Sequence, residues 1–312
     1  MKLIFFGSSG FSVPFLKAIH DSTHTIVKVI TGPDKKKGRG REKRPNPVKE
    51  YALKNNLEII SFERFDSDNI LLLNSLRFDF AVVVSFGKMI PLEVLDSKDF
   101  INVHPSYLPK YRGPSPIEST LLCGEESTAT TIINISEKMD AGDILSQLSF
   151  GIYPGENKES LEKKHITFGK SLLMGTLYLL EKNSLSAIPQ AEEEATYTHL
   201  FTKSDYRIDW DAGAEKVVNK IRAFSREPGA FSYFKDKMIK ILEASFENKT
   251  FSSGKKDIVN GQVIEADKKN GLLVLSGDGL VRITRLKPQG KNEMGFKDFL
   301  NGYQIRKDDR FL

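Results

Sequence analysis

At 312 residues the chain is long enough for two domains with sizeable cores, and its 39% hydrophobic and 28% charged residues are those of a globular protein rather than a disordered or fibrous one. Its one cysteine, Cys123, excludes an intramolecular disulfide and a zinc cage of thiolates, suits a reducing, cytoplasmic setting and is expected in the core; no apolar run is long enough to span a membrane. The net charge of +5 is uneven: residues 35–44 hold seven cations against one anion, and from Arg207 onward 21 Lys and Arg face 15 Asp and Glu, which favours a polyanionic partner such as nucleic acid over a merely solvated charge run.

Lys2–Phe6 reads as a buried strand, too short for a secretory signal. Gly7-Ser8-Ser9-Gly10-Phe11 is a tight turn, Val13–His20 a helix and Thr25–Thr31 a second strand. After the basic loop a helix starts near Pro47, a residue suited to a first helical turn, and runs to about Asn56. Leu57–Phe62 is a strand, Ser67–Leu76 a helix, and Phe80–Phe86 a strand so apolar that helices must cover both its faces. A short helix over Pro91–Asp96 and a strand over Ile101–His104 follow. Five alternations of strand and helix predict an α/β domain with a doubly wound, mostly parallel, Rossmann-like sheet. Pro105 stops the strand, and the proline-rich run to Pro116 must be a rigid loop before a short helix over Ile117–Cys123. Thr128–Ile135 and Gln147–Ile152 are further strands, and Glu159–Glu181 is a long helix.

The texture then changes. Residues 189–206, with Ser, Pro, Thr and the run Glu192-Glu193-Glu194, read as an extended linker between a domain at 1–188 and one at 207–312. Beyond it come a helix over Ala214–Phe224 and five short strands, Ala230–Phe234, Met238–Ser245, Gly261–Ala266, Leu272–Ser276 and Leu280–Leu286, then a helix at Phe296–Leu300. Gly277-Asp278-Gly279 between the last two strands is a hairpin signal. This pattern predicts a small β-barrel of the oligonucleotide-binding (OB-like) kind.

The Gly7-Ser8-Ser9-Gly10 turn is not a dinucleotide fingerprint, because the third glycine position falls on Val13. No H-E-x-x-H occurs, so no metal is expected; His20, His24, His165 and His199 are expected on the surface or on helices. Asn102 and His104 lie two apart on a strand, so both point to one face. Such a pair is either a hydrogen-bonded core pair or, with the loop carboxylate Asp140, a device for acyl or formyl transfer to an amine. In that second reading Asn102 and His104 hold the oxyanion of a tetrahedral intermediate, while Asp140 orients the imidazole and takes a proton from the amine. No serine or cysteine nucleophile is then needed.

The run from Asn102-Val103-His104 through Ser106-Tyr107-Leu108-Pro109 to Tyr111-Arg112-Gly113, followed by Met139-Asp140-Ala141-Gly142-Asp143, resembles the folate-dependent formyltransferases. The likeness covers nearly the whole chain. Ile4-Phe5-Phe6-Gly7, the loop Gly32-Pro33-Asp34 to Lys49, Arg207-Ile208-Asp209-Trp210 and Ile221-Arg222-Ala223-Phe224 resemble those members that act on a tRNA. The resemblance implies 10-formyltetrahydrofolate as formyl donor and the α-amino group of methionine on initiator tRNA as acceptor. It implies Asn102, His104 and Asp140 as the catalytic trio, and Ser106, Tyr107, Leu108 and Pro109, with Phe86 and Gly87 on the neighbouring strand end, as folate contacts. For the tRNA it implies Arg39 within the basic loop, with Lys35, Lys36, Lys37, Arg41 and Lys43 around it. Pro105-Ser106 and Tyr107 depart from the family's commoner Gly-Ser and Leu. The chain is expected to act as a monomer. Its rivals are a formyltransferase for a small amine (an amino sugar or glycinamide nucleotide), a non-catalytic RNA-binding protein and a nicotinamide-dependent oxidoreductase, and the last fails on the glycine pattern.

Overall fold

Apolar strands pair side by side in the first sheet, and those at its centre bury both faces. In the computed structural model, which describes residues 1–37, 42–96, 98–247 and 258–312, β1 (Lys2–Gly7) lies parallel between β2 (Thr25–Thr31) and the later strand at Phe80–Val84. Helix α1 (Val13–His20) links β1 to β2. A two-stranded ribbon of β3 (Lys35–Lys37) and β4 (Glu42–Arg44) then precedes α2 (Pro47–Lys54). Asn46 starts α2, its side chain accepting from the Lys49 N–H while Pro47 takes the first turn. Next come β5 (Ile59–Ser61), α3 (Ser67–Ser75), β6 (Phe80–Val84), α4 (Leu92–Leu95) and β7 (Phe100–His104), then α5 (Pro116–Leu122), β8 (Ser127–Asn134), β9 (Ile144–Gly151) and α6 (Lys158–Glu181). The sheet order is β5-β2-β1-β6-β7-β8-β9. Strands β5 to β7 are parallel, and β8 turns antiparallel against β7.

Alternation along β1 sorts the core into two layers. Leu3 and Phe5 pack with Phe15, Leu16, Val103, Leu173 and Leu177, while Ile4 and Phe6 pack with Leu73, Val83, Phe86 and Phe100. On β7, Ile101 and Val103 join the first layer, so Asn102 and His104 face the other way at the strand's carboxyl end.

The stretch expected as a linker carries only the short turn Glu192–Glu194. Up to Thr198 it belongs to the first compact unit, made of Met1–Pro116, Ser127–Phe150 and Glu162–Thr198. Its backbone answers the unpaired groups of the proline-rich loop: Arg112 N–H donates to Thr196 O and Thr198 N–H to Arg112 O.

The second unit is Ile117–Glu126, Gly151–Leu161 and His199–Leu312. Helix α7 (Ala214–Ala223) packs Val217, Val218 and Ile221 onto a core with Trp210, Phe224, Phe234, Phe299 and Phe311. The expected hairpin turn also caps this helix, since Asp278 Oδ1 accepts from the Ala214 N–H at 2.7 Å. Strands β10 (Ala230–Phe234), β11 (Lys237–Glu247), β12 (Val263–Asp267), β13 (Gly271–Leu275), β14 (Leu280–Pro288) and β15 (Met294–Gly295) precede α8 (Phe296–Tyr303). They form one antiparallel sheet in the order β10-β11-β14-β13-β12, with β15 on β14. The last residues join its two ends: Leu312 exchanges backbone hydrogen bonds with Tyr233 on β10, and Asp308 and Asp309 with Val263 on β12. Cys123, expected in the core, is exposed just past α5. His165, by contrast, is on a helix but fully buried.

Candidate active site

The carboxyl end of β7 meets two loops. Asn102 Nδ2 donates to Asp140 Oδ1 at 3.1 Å, and the Gly113 N–H donates to Asp140 Oδ2 at 2.9 Å. His104, 4% exposed, sets Nδ1 3.5 Å from Asp140 Oδ2 and donates Nε2–H to the Tyr111 carbonyl at 3.0 Å. The ring is thus fixed by its Nε2 end, and Nδ1 is the atom left facing the carboxylate. Asp140 holds a left-handed backbone at φ 52°, which aims its side chain back at β7. Gly142 lets the same loop lie flat on β8, because a Cβ there would come 1.8 Å from the Asn134 carbonyl oxygen.

Ser106 is fully buried; its hydroxyl donates to Lys110 O and its carbonyl accepts from Thr131 Oγ1. Leu108 is buried too, and its carbonyl accepts from Gln147 Nε2. Leu108-Pro109 is a cis peptide. These residues shape the loop, while Tyr107 stands 45% exposed beside them. Phe86 does not offer its ring to a ligand: it is 5% exposed and packs edge-on against Phe6 at 5.3 Å between ring centres. The following Gly87 is exposed at φ 74°, with open space where a Cβ would stand. Of the basic loop, Lys35–Lys37 form β3 and Lys43 lies exposed on β4, while Arg39 and Arg41 lie outside the described residues. No cluster of metal-ligating side chains occurs among the described residues.

Sequence reasoning gave no role to the residues behind the trio. Arg112 is fully buried; its Nε donates to Gln190 Oε1 at 3.0 Å, and its Nη1 to Glu192 Oε2 at 2.9 Å and Tyr197 OH at 3.0 Å. The guanidinium hydrogen bond holds the Glu192 carboxyl below the usual carboxylate range. The only local hint was a long cation in a proline-rich loop; its partners lie about 80 residues on.

Chemically, the arrangement offers an amide donor, an imidazole and a carboxylate converging at a strand end, in the position where open α/β sheets carry their sites. Comparison with known proteins agrees. Residues 1–177 match the family model described as Formyl transferase, and residues 201–304 the one described as Formyl transferase, C-terminal domain. A methionyl-tRNA formyltransferase of Dictyoglomus thermophilum is 36% identical over 316 residues, covering 100% of each chain. An N-formyltransferase of Helicobacter canadensis, solved with folinic acid and dTDP-3-aminofucose, shares the fold at a TM-score of 0.66 and 17% identity, over 91% of this chain and 99% of that one. A methionyl-tRNA formyltransferase from Clostridium thermocellum does so at a TM-score of 0.52 and 17% identity, over 89% and 100%. With both family domains matched in order and the whole length aligned, the chain belongs to the formyl transferase family.

Proposed function

We propose that this protein transfers the formyl group of 10-formyltetrahydrofolate to the α-amino group of methionine on initiator tRNA, in the cytoplasm. The observation that carries the reading is the convergence of Asn102 and His104 on Asp140, at 3.1 Å and 3.5 Å, at the end of β7. The identity to tRNA-directed relatives supports the acceptor, and the folate compound in the Helicobacter canadensis structure supports the donor class.

The unprotonated amine attacks the formyl carbon. Asn102 keeps a second amide hydrogen beyond the one given to Asp140, and the His104 ring stands at the same strand end; these two hold the developing oxyanion. Asp140 accepts the proton that the amine sheds. When the intermediate collapses, the carbon–nitrogen bond to the folate breaks and one proton goes to the departing nitrogen, so the site ends as it began. Tyr107 and the backbone at Gly87 border the folate, with Ser106, Leu108 and Pro109 shaping that wall.

The tRNA is held through phosphates by Lys35, Lys36, Lys37, Arg39, Arg41 and Lys43. The C-terminal domain adds a second cationic surface, a cleft lined by Lys235, Lys237 and Lys291 beside Phe234 and Tyr303. The protein works as a monomer.

The test is a formylation assay with 10-formyltetrahydrofolate and methionine-charged initiator tRNA, read by mass spectrometry. N-formylmethionine on the tRNA that disappears with His104→Ala is the expected result. Formylation of an amino sugar instead would replace this acceptor, and folded protein that formylates nothing would sink the reading.

A further inference from the structure

The Asp140 loop has no regular structure of its own, yet its carboxylate must keep one position. Asn102 and the Gly113 N–H hold the carboxylate itself, and a side chain 50 residues away holds the backbone that carries it. Gln190 Nε2 donates both hydrogens to this loop, to the Asp140 carbonyl at 2.9 Å and to the Gly142 carbonyl at 2.7 Å. Its own carbonyl accepts from Arg112 Nε at 3.0 Å. Arg112 in turn is wholly buried, and its backbone is bonded on both sides to residues 196–198. Ile188 adds a further pair of backbone hydrogen bonds to Ile144, just past the loop. All of these residues lie in the first compact unit.

We propose that Gln190, held by Arg112, is a positioning residue for formyl transfer: it clamps the Asp140 loop so that the carboxylate stays against Asn102 and His104. The chemistry of the amide suits the task. It has two donors and one acceptor site in use, and all three are matched. An acid or an apolar side chain of the same length supplies at most one of the three bonds. Asp140 also keeps a left-handed backbone, which a loop retains only where its surroundings hold it. The clamp touches neither donor nor acceptor, so its loss lowers turnover rather than binding. A reacting group displaced by about an ångström can lose on the order of 10²-fold in rate.

The inference rests on the formyl-transfer reading of this site, and two readouts keep them apart. Gln190→Leu and Gln190→Glu are compared with wild type in the formylation assay and by nuclear magnetic resonance of protein with ¹⁵N-labelled histidine rings. The expected result is a fall in kcat of roughly 10- to 100-fold, with KM for folate and tRNA within about threefold. The His104 ring signals shift, and those of His20 stay put. Turnover within twofold of wild type overturns the proposal. So does a fall in kcat with unmoved His104 signals, a loss confined to KM, or failure of both variants to fold. A wild-type protein that formylates nothing fails the functional reading, and the His104 signals still judge the clamp.

Discussion

The β7 end and the basic ribbon of β3 and β4 are both polar and both placed for function, but they are built on opposite plans. At β7 the polar side chains have named partners at set distances: Asn102 on Asp140, His104 on Tyr111, Gln190 on two carbonyls. In the ribbon the backbone register pairs Lys35 with Arg44, Lys36 with Lys43 and Lys37 with Glu42, so two of the three pairs are of like charge. Like charges directly opposite weaken a strand pair. One region is specified by geometry and tolerates no change; the other is specified by charge density and tolerates many. The largest expected effects therefore lie at β7 and the smallest in the ribbon.

Asn102→Ala and His104→Ala break the comparison most directly. Each removes an oxyanion donor, which costs on the order of 10²–10³ in kcat, or about 2.7–4 kcal/mol. Both variants should keep the wild-type circular dichroism and melting curve, since neither side chain fills a core layer. Half of the wild-type turnover in either would show the trio to be no more specific than the ribbon.

Gly142→Ala attacks the same geometry through the backbone. The new Cβ would stand 1.8 Å from the Asn134 carbonyl oxygen, so the loop or β8 must move. Such overpacking costs about 1–3 kcal/mol, and the Asp140 carboxylate, two residues away, moves with it. Turnover should fall together with the denaturation midpoint, whereas Asn102→Ala lowers turnover alone. A Gly142→Ala protein with normal activity would mean that the loop's position is not critical.

How much of this was legible in the sequence follows the same division. The first domain's strands and helices are local matters, and the period of apolar residues marks β1, α1, β2 and β6 to within a residue or two. Asn102 and His104 share a face by strand alternation alone, and that face was readable before any fold was known. Asp140 could be offered only as a carboxylate on a following loop, because a loop carries no period, and it was the resemblance that tied it to the other two. The clamp was not legible at all. Gln190 sits in a stretch of Ser, Pro, Thr and Glu that reads as a linker, and only the folded chain brings it to Arg112. The ring of Phe86, a residue that resemblance and a strand-end position set beside the folate, turns into the aromatic layer with Phe6 and Phe65, which strand alternation did not announce. Cys123 likewise looked like a core residue by type, and it is the end of a short helix that leaves it exposed.

His165 extends the comparison behind the sheet. Its ring is buried against Phe150, with Nδ1 at 3.0 Å from Thr130 Oγ1. Burial, and next the nearby His104, push its pKa down from 6.5 to about 3. The folded form therefore refuses a proton that the unfolded chain takes up below pH 6.5. Stability is complete above that pH and is lost as pH falls from 6.5 toward 3, by about 1.4 kcal/mol per unit at most. Urea unfolding at pH 6.5 and pH 5 should show a loss of about 2 kcal/mol that is missing in His165→Gln. Equal losses in the two proteins would mean that the ring is hydrated in the folded state.

The ribbon offers the mildest change and the cleanest contrast. Lys43 is exposed, and its register neighbour is a cation rather than an acid. A single phosphate contact there contributes through counterion release, not through a fixed angle. Lys43→Ala should therefore lower the slope of log affinity against log salt by about 1 and leave the folate KM unchanged. A lysine-to-arginine change at the same position should restore most of the slope, because either cation displaces a counterion. At β7 no such exchange of like for like is available, since Gln190 uses two donors and an acceptor, and Asn102 a donor, at set positions. If Lys43→Ala instead abolished tRNA use outright at low salt, the ribbon would be a site of fixed contacts like the one at β7, and the division between the two regions would fail.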